Sequence, residues 1–245
     1  MTFTIKTAGD SAVLLTFEQA ISPDINHQIK SLLFLLKEQP ISGIIDIIPA
    51  FASLLISYDP RVITFARIKN HLLALQDAKV SLAKAGKRIF EIPVCYGGNY
   101  GPDLPFVAQN AGLTEEDVIA IHSSQDYLIY MLGFLPGFPY LGGLDDRIHT
   151  PRLDNPRLAI PAGSVGIGGN QTGIYPLESP GGWQLIGRTP IETYQPNRQV
   201  PILFEAGDYI RFKPVSEEEF GNILAAVKAD NYQVTIIREE GSHGH

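Results

Sequence analysis

The chain has 245 residues, 44% of them hydrophobic and 18% charged, and a formal net charge of −7 at pH 7. That length allows one large domain or two small ones, and that composition excludes an intrinsically disordered protein. The acidic balance, with no Lys/Arg cluster, excludes a nucleic-acid surface.

Cys95 is the only cysteine, so an intrachain disulfide and a multi-cysteine zinc site are both excluded. A cytoplasmic location fits that usage. The opening MTFTIKTAGD lacks the basic and apolar regions of a signal peptide. The apolar stretch LLFLL at Leu32 to Leu36 is too short to span a membrane.

In chain order, Phe3 to Thr7 and Ala12 to Phe17 read as strands joined by a turn at Ala8-Gly9-Asp10. Ser22-Pro23 is a helix start, with serine as N-cap and proline at the first helical position. Ile25, Ile29, Leu32, Leu33 and Leu36 then recur at helical spacing. Gly43 to Pro49 and Ser53 to Asp59 read as two more strands, and Phe65, Ile68, Leu72 and Leu73 mark a second amphipathic helix. The order ββαββα predicts a small α+β domain over residues 1–85, a sheet covered by helices. The polar run AKVSLAKAGKR at Ala78 to Arg88 marks the domain boundary.

The second domain, residues 86–240, opens with a strand at Ile89 to Cys95, a glycine-rich turn and a helix near Leu104 to Asn110. Thr114 with Asp117 forms a capping box for a helix ending near His122. Short β segments at roughly ten-residue spacing follow, the pattern of a barrel or sandwich. Ser216 with Glu219 caps a late helix, Tyr232 to Arg238 reads as a closing strand, and residues 241–245 (GSHGH) read as a flexible tail.

Between Gly133 and Gly187 lie 12 of the 23 glycines, interleaved with prolines, whereas the first 90 residues hold three. Phe134, Phe138, Tyr140, Tyr175 and Trp183 punctuate that run, so it reads as rigid and packed, unlike a linker. GSVGIGGNQTG at Gly163 to Gly173 invites a phosphate-loop reading. Yet there is no G-K-[ST], and no lysine stands between Lys87 and Lys213. Structural turns and a binding loop, with Gln171, Thr172 and Tyr175 as its polar groups, both remain open.

Four arginines lie in or beside this run: Arg147, Arg152, Arg157 and Arg188. Each can clamp a carboxylate or phosphate, or pair with Asp145, Asp146, Asp154 or Glu178. His122 is a candidate general acid/base, with a helix-terminal capping role as the alternative, and His149 a lesser one. Cys95 reads as a small buried side chain. No Ser/His/Asp spacing supports Glu178 and Ser179 as part of a hydrolase triad. With no H-E-x-x-H and no Cys/His cluster, no protein-held metal is expected.

GFLPGFPYLGGLD, TPRLDNPR, IPAGSVGIGGNQTGIYP and SPGGWQLIGRTP, together with GDSAVLLTF and IPVCYGGNYGPDL, are similar to the family called allophanate hydrolase subunit 1. The resemblance covers nearly the whole chain. It implies a cyclophilin-like β-barrel for the second domain. Members of that family include the B subunit of ATP-dependent 5-oxoprolinase, so the resemblance implies opening of a small cyclic amide with ATP and Mg2+ as co-substrate. A related cyclophilin-like C subunit and an A subunit would be partners. Arg157 and Arg188 sit in the motifs PR-x-x-IPAG and IGRTP and are the arginines preferred as clamps. His122 precedes the Y-x-x-Y-M-L-G-F segment and would move a proton. Gly166, Gly168, Gln171, Thr172, Tyr175 and Glu178 would bind substrate. Two other roles follow from the same family: inhibition of a sensor histidine kinase by docking, and a component acting on allophanate or urea. For the last, no biotin-attachment motif surrounds Met1 or Met131.

Overall fold

The computed structural model describes residues 1–18, 22–76 and 87–239. The expected boundary at Ala78 to Arg88 falls largely outside the described residues, and the tail at 241–245 wholly so. The chain divides into two compact units, Met1–Ala85 and Gly86–His245.

The first unit has the expected ββαββα order: β1 (Thr4–Thr7), β2 (Ala12–Thr16), α1 (Pro23–Glu38), β3 (Ile44–Pro49), β4 (Ser53–Tyr58) and α2 (Phe65–Gln76). Its antiparallel sheet runs β1-β2-β4-β3. Alternation along β2 and β4 buries Val13, Leu15, Leu54 and Ile56 on one face, as a period of two requires. Against them lie Ile25, Ile29, Leu32 and Leu36 of α1 and Ile68, Leu72 and Leu75 of α2. Leu73, expected on the buried face of α2, is exposed, and Leu75 takes that place. The Ser22 Oγ accepts from the Asp24 N–H at 3.3 Å and starts α1 where the Ser-Pro pair predicts it.

The second unit contains β5 (Lys87–Tyr96), α3 (Leu104–Ala111), α4 (Glu115–Ser123), β6 (Asp126–Leu132), β7 (Pro139–Gly142), β8 (Arg157–Ile160), β9 (Ser164–Gly168), β10 (Gln171–Ile174), β11 (Ser179–Gly181), β12 (Gln184–Arg188), β13 (Tyr209–Pro214), α5 (Glu217–Lys228) and β14 (Ile236–Glu239). Both capping boxes form, Thr114 with Asp117 on α4 and Ser216 with Glu219 on α5. The strands run β12-β9-β10-β7-β6-β13-β5, and β5 pairs back onto β12, closing a barrel. Pairing around the ring is antiparallel except for β5 with β13. At the seam a Cβ on Gly187 would stand 2.7 Å from Val94 and 2.9 Å from the Cys95 carbonyl, so only glycine lets the ring close there. Strands β8 and β11 form a separate two-stranded ribbon.

Phe90, Ile92, Val94, Tyr127, Ile129, Leu141, Val165, Ile167, Ile174, Ile210 and Phe212 fill the barrel core. Charges fasten one end of it. Asp126 accepts from Lys87 at 2.5 Å and Arg211 at 2.7 Å, and Asp208 takes both guanidinium bonds of Arg88 at 2.7 and 2.6 Å.

Candidate functional site

The hairpin β9–β10 separates two environments. Val165, Ile167, Thr172 and Ile174 point into the barrel core, while Gly166, Gly168 and Gly173 face the opposite way, Gly168 and Gly173 beneath the indole of Trp183 and Gly166 against its Cβ. A Cβ on Gly168 would fall on the indole Nε1 and within 2.5 Å of Cδ1 and Cε2. One on Gly173 would sit 3.0 Å from Cζ3. These glycines are there because the ring lies on the backbone.

The phosphate-cradle expectation for Gly166, Gly168, Gln171 and Thr172 therefore changes. Residues 165–167 pair with both β10 and β12, Gly168 pairs with Gln171 of β10, and at the turn the Gly169 N–H donates to the Thr150 carbonyl at 2.8 Å. Ladder amides are already committed and leave no nest for an anion.

Around Trp183 stands an aromatic cluster. Phe138 meets the indole edge-on at 5.5 Å, Tyr175 at 6.3 Å and Tyr140 at 6.4 Å. These rings, with Phe134, Arg152, Pro156, Pro180, Gly181 and Gly182, line a cleft of about 350 Å³. Phe134 is held at φ 63° with 65% of its surface exposed. A positive φ costs a bulky residue on the order of 1–2 kcal/mol, and here it stands an aromatic ring at the rim of a cleft. The guanidinium of Arg152 lies over the indole at 5.7 Å. Burial raises the pKa values of Tyr140 and Tyr175, with the Arg152 charge acting in the opposite sense on both, so both phenols are neutral donors at neutral pH.

The arginines sort differently from expectation. Arg157, a preferred clamp, already holds Asp103 at 2.6 Å, and the second oxygen of Asp103 accepts the Leu185 N–H at 2.6 Å. Its partner lies 54 residues away and is none of the acids considered from the sequence. Replacing Asp103 with alanine removes both bonds; we expect about 2–3 kcal/mol of destabilisation in urea unfolding. Arg188 donates through Nε to the Ala162 carbonyl at 2.9 Å and lines a separate cavity with Thr189, Glu192 and Phe220. Arg147 is paired with Asp145 at 2.8 Å. Among the described residues Arg152 has no ion pair and no hydrogen bond to an acid, although Asp154 follows it by only two positions. No sequence signal set it apart from the other three.

His122 is fully buried in the barrel core, stacked on Phe212 at 4.6 Å. The Tyr96 hydroxyl lies 2.8 Å from Nδ1, and Nε2 lies 2.8 Å from the Thr172 hydroxyl, which donates to the Gly166 carbonyl at 3.0 Å. Since the threonine's single proton goes to that carbonyl, Nε2–H must donate to Thr172, and Nδ1 accepts from Tyr96. Burial lowers the His122 pKa to about 3. This neutral, doubly bonded imidazole does not fit the proton-moving role expected of it; it fixes the back of the hairpin on which Trp183 lies. His149 bonds the Leu144 carbonyl at 3.1 Å. Glu178 is exposed and lies outside the lining of the cleft, and Cys95 is buried and free. Among the described residues no group of three or more His, Cys, Asp or Glu could hold a metal ion, and no helix is long and apolar enough to cross a membrane.

A closed barrel carrying an external aromatic cleft, in a chain that also holds a small sheet-and-helix unit, is a fold shared with known proteins. The chain belongs to the carboxyltransferase domain family, subdomains C and D, which it matches over residues 3–204. It is 43% identical to the B subunit of 5-oxoprolinase from Bacillus subtilis over 228 residues, covering 89% of this chain and 95% of that protein. Against the corresponding B subunit from Escherichia coli O157:H7 it is 42% identical over 210 residues, covering 85% and 94%. Among solved structures, TTHA0988 superposes with a TM-score of 0.74 at 38% identity, over 84% of this chain and 40% of that one. The present chain thus spans less than half of that longer polypeptide. The urea amidolyase of Lachancea kluyveri is more distant, 28% identical over 99% of this chain and 15% of its own length.

Proposed function

We propose that the chain is the B subunit of a multi-subunit 5-oxoprolinase that converts 5-oxo-L-proline to L-glutamate with hydrolysis of ATP. The likeness to the 5-oxoprolinase B subunit of Bacillus subtilis, over nearly the full length of that protein, carries this reading. A related C subunit and an A subunit complete the enzyme, and ATP with Mg2+ is its co-substrate.

Lactam resonance makes the ring carbonyl a poor electrophile. Transfer of the γ-phosphoryl group to the carbonyl oxygen creates a leaving group. Water then adds to the ring carbon, and the C–N bond breaks as the nitrogen takes up a proton to become the amino group of glutamate; a second water hydrolyses the resulting acyl phosphate, which releases phosphate and leaves the side-chain carboxylate. In this scheme the present chain binds the ring. Because His122 is buried and neutral, proton transfer is assigned to the partner subunits.

The test is glutamate release from 5-oxoproline by the three co-expressed subunits. ATP-dependent glutamate that disappears when this chain is left out is the expected result. No glutamate from subunits shown to assemble would overturn the reading and turn attention to kinase docking or another amide.

A further inference from the structure

We propose that the cleft beside Trp183 is the subsite for the carboxylate-bearing ring of the cyclic amide, with Arg152 as the residue that selects for the carboxylate. This rests on the function proposed above. Four observations carry it. The walls are aromatic faces and prolines, surfaces that accept a flat, compact ring without demanding hydrogen bonds from it. One cation lines the cleft, and among the described residues it lacks an acidic partner. The indole beneath that cation holds the guanidinium over the cavity. The two phenols at the wall are neutral, so they bring no charge to oppose a carboxylate there.

Charge counting decides the ligand class. A nucleotide brings several phosphate charges and needs several cations or a nest of amides. The cleft offers one guanidinium, and the adjoining hairpin amides are committed to their ladder. A single carboxylate on a small ring matches a single arginine. The volume of about 350 Å³ exceeds what such a ring needs, which leaves room for a reacting group from another subunit. Arg152 is thus a specificity-determining residue, and the aromatic floor is a positioning surface.

The test uses the assembled complex and two ligands that differ only in the carboxylate: 5-oxoproline as substrate and 2-pyrrolidinone as competitive inhibitor. In R152Q the KM for 5-oxoproline is expected to rise about tenfold, while the Ki for 2-pyrrolidinone stays the same. R152K restores part of the loss by returning the charge without the fork. An unchanged KM in R152Q overturns the proposal. So does a parallel rise in KM and Ki, which reports damage to the cleft and not loss of a carboxylate contact. Failure of the functional reading looks different, because then the wild-type complex releases no glutamate at all. In that case Trp183, the only tryptophan, still reports on the cleft in this chain alone. Emission that responds to 5-oxoproline at concentrations about tenfold below those needed with 2-pyrrolidinone, with that preference lost in R152Q, supports carboxylate selection. No preference overturns it.

Discussion

Unfolding free energy is expected to fall by roughly 1.4 kcal/mol per pH unit as the pH drops from about 6 to 4.5, and His122 is the source. The ordinary imidazole pKa is 6.5, and burial lowers that of His122 to about 3. Between those values the unfolded chain takes up a proton that the native chain refuses. The stabilisation is therefore complete above pH 6.5 and is lost progressively as the pH falls towards 3. Across the whole window the loss is roughly 5 kcal/mol, comparable to the entire stability of a marginal domain. The groups around the imidazole do not obscure this. Tyr96 and Tyr127 have pKa values raised by burial and stay neutral, and Phe212 carries no charge. Carboxylates held low in the folded chain, Glu219 among them, begin to add to the loss only near pH 4.5. Burial of Asp126 works against its ionisation, but Arg211 and Lys87 outweigh it and its pKa is lowered. Urea unfolding at a series of pH values measures the slope. His122→Gln, which keeps a donor for Thr172 and an acceptor for Tyr96, should abolish it between about pH 6 and 4.5. A slope that survives the substitution would place the proton uptake elsewhere.

The second large effect is expected from Gly168→Ala. The new methyl group would overlap the indole at Nε1 and stand 2.5 Å from Cδ1 and Cε2. It is opposed by a ring on one side and a paired strand on the other, so the indole has to move. Overpacking of this kind costs about 1–3 kcal/mol. The optical consequence is more specific than the energetic one. Trp183, now 4% exposed, is lifted towards solvent, and its emission should shift to the red with loss of ligand response at the cleft. Gly169→Ala is the matched control. A Cβ there meets nothing within 4 Å, although φ is +68°, so it should carry a backbone penalty of about 1 kcal/mol with no change in Trp183 emission. Equal red shifts in the two variants would mean that hairpin strain, and not the glycine–indole contact, sets the position of the ring.

These residues also show what can be read from the chain alone. The N-cap at Ser22 and the boxes at Thr114 and Ser216 are legible because their partners lie within three positions. The ββαββα order is legible for the same reason: periodicity is local. The glycine-rich run is recognisable as packed, but its purpose is not, because the group pressing on Gly168 is Trp183, and chain order says nothing of that approach. Arg157 and Arg188 stand out by motif membership, yet occupancy by Asp103 or the Ala162 carbonyl is a tertiary fact. Arg152 is one of four arginines in the sequence and becomes distinct only once its neighbours are known. His122 stands at a helix end as expected, but the barrel core that removes its charge is assembled from strands up to 90 residues away, Phe212 included.

Strand β5 has a consequence for the order in which the molecule is made. It emerges from the ribosome at the start of its unit, yet every strand it pairs with lies far downstream: β12 from Gln184, β13 from Tyr209 and β14 from Ile236. The nascent chain must therefore carry an apolar ten-residue strand without a partner while roughly ninety residues are added, and its ring closes only once β13 has followed β12. Lys87, Arg88 and Glu91 keep part of that strand charged during the wait. Removal of β14 would leave Lys87 to Phe90 of β5 without a neighbour on that side, an exposed edge beside the closed ring.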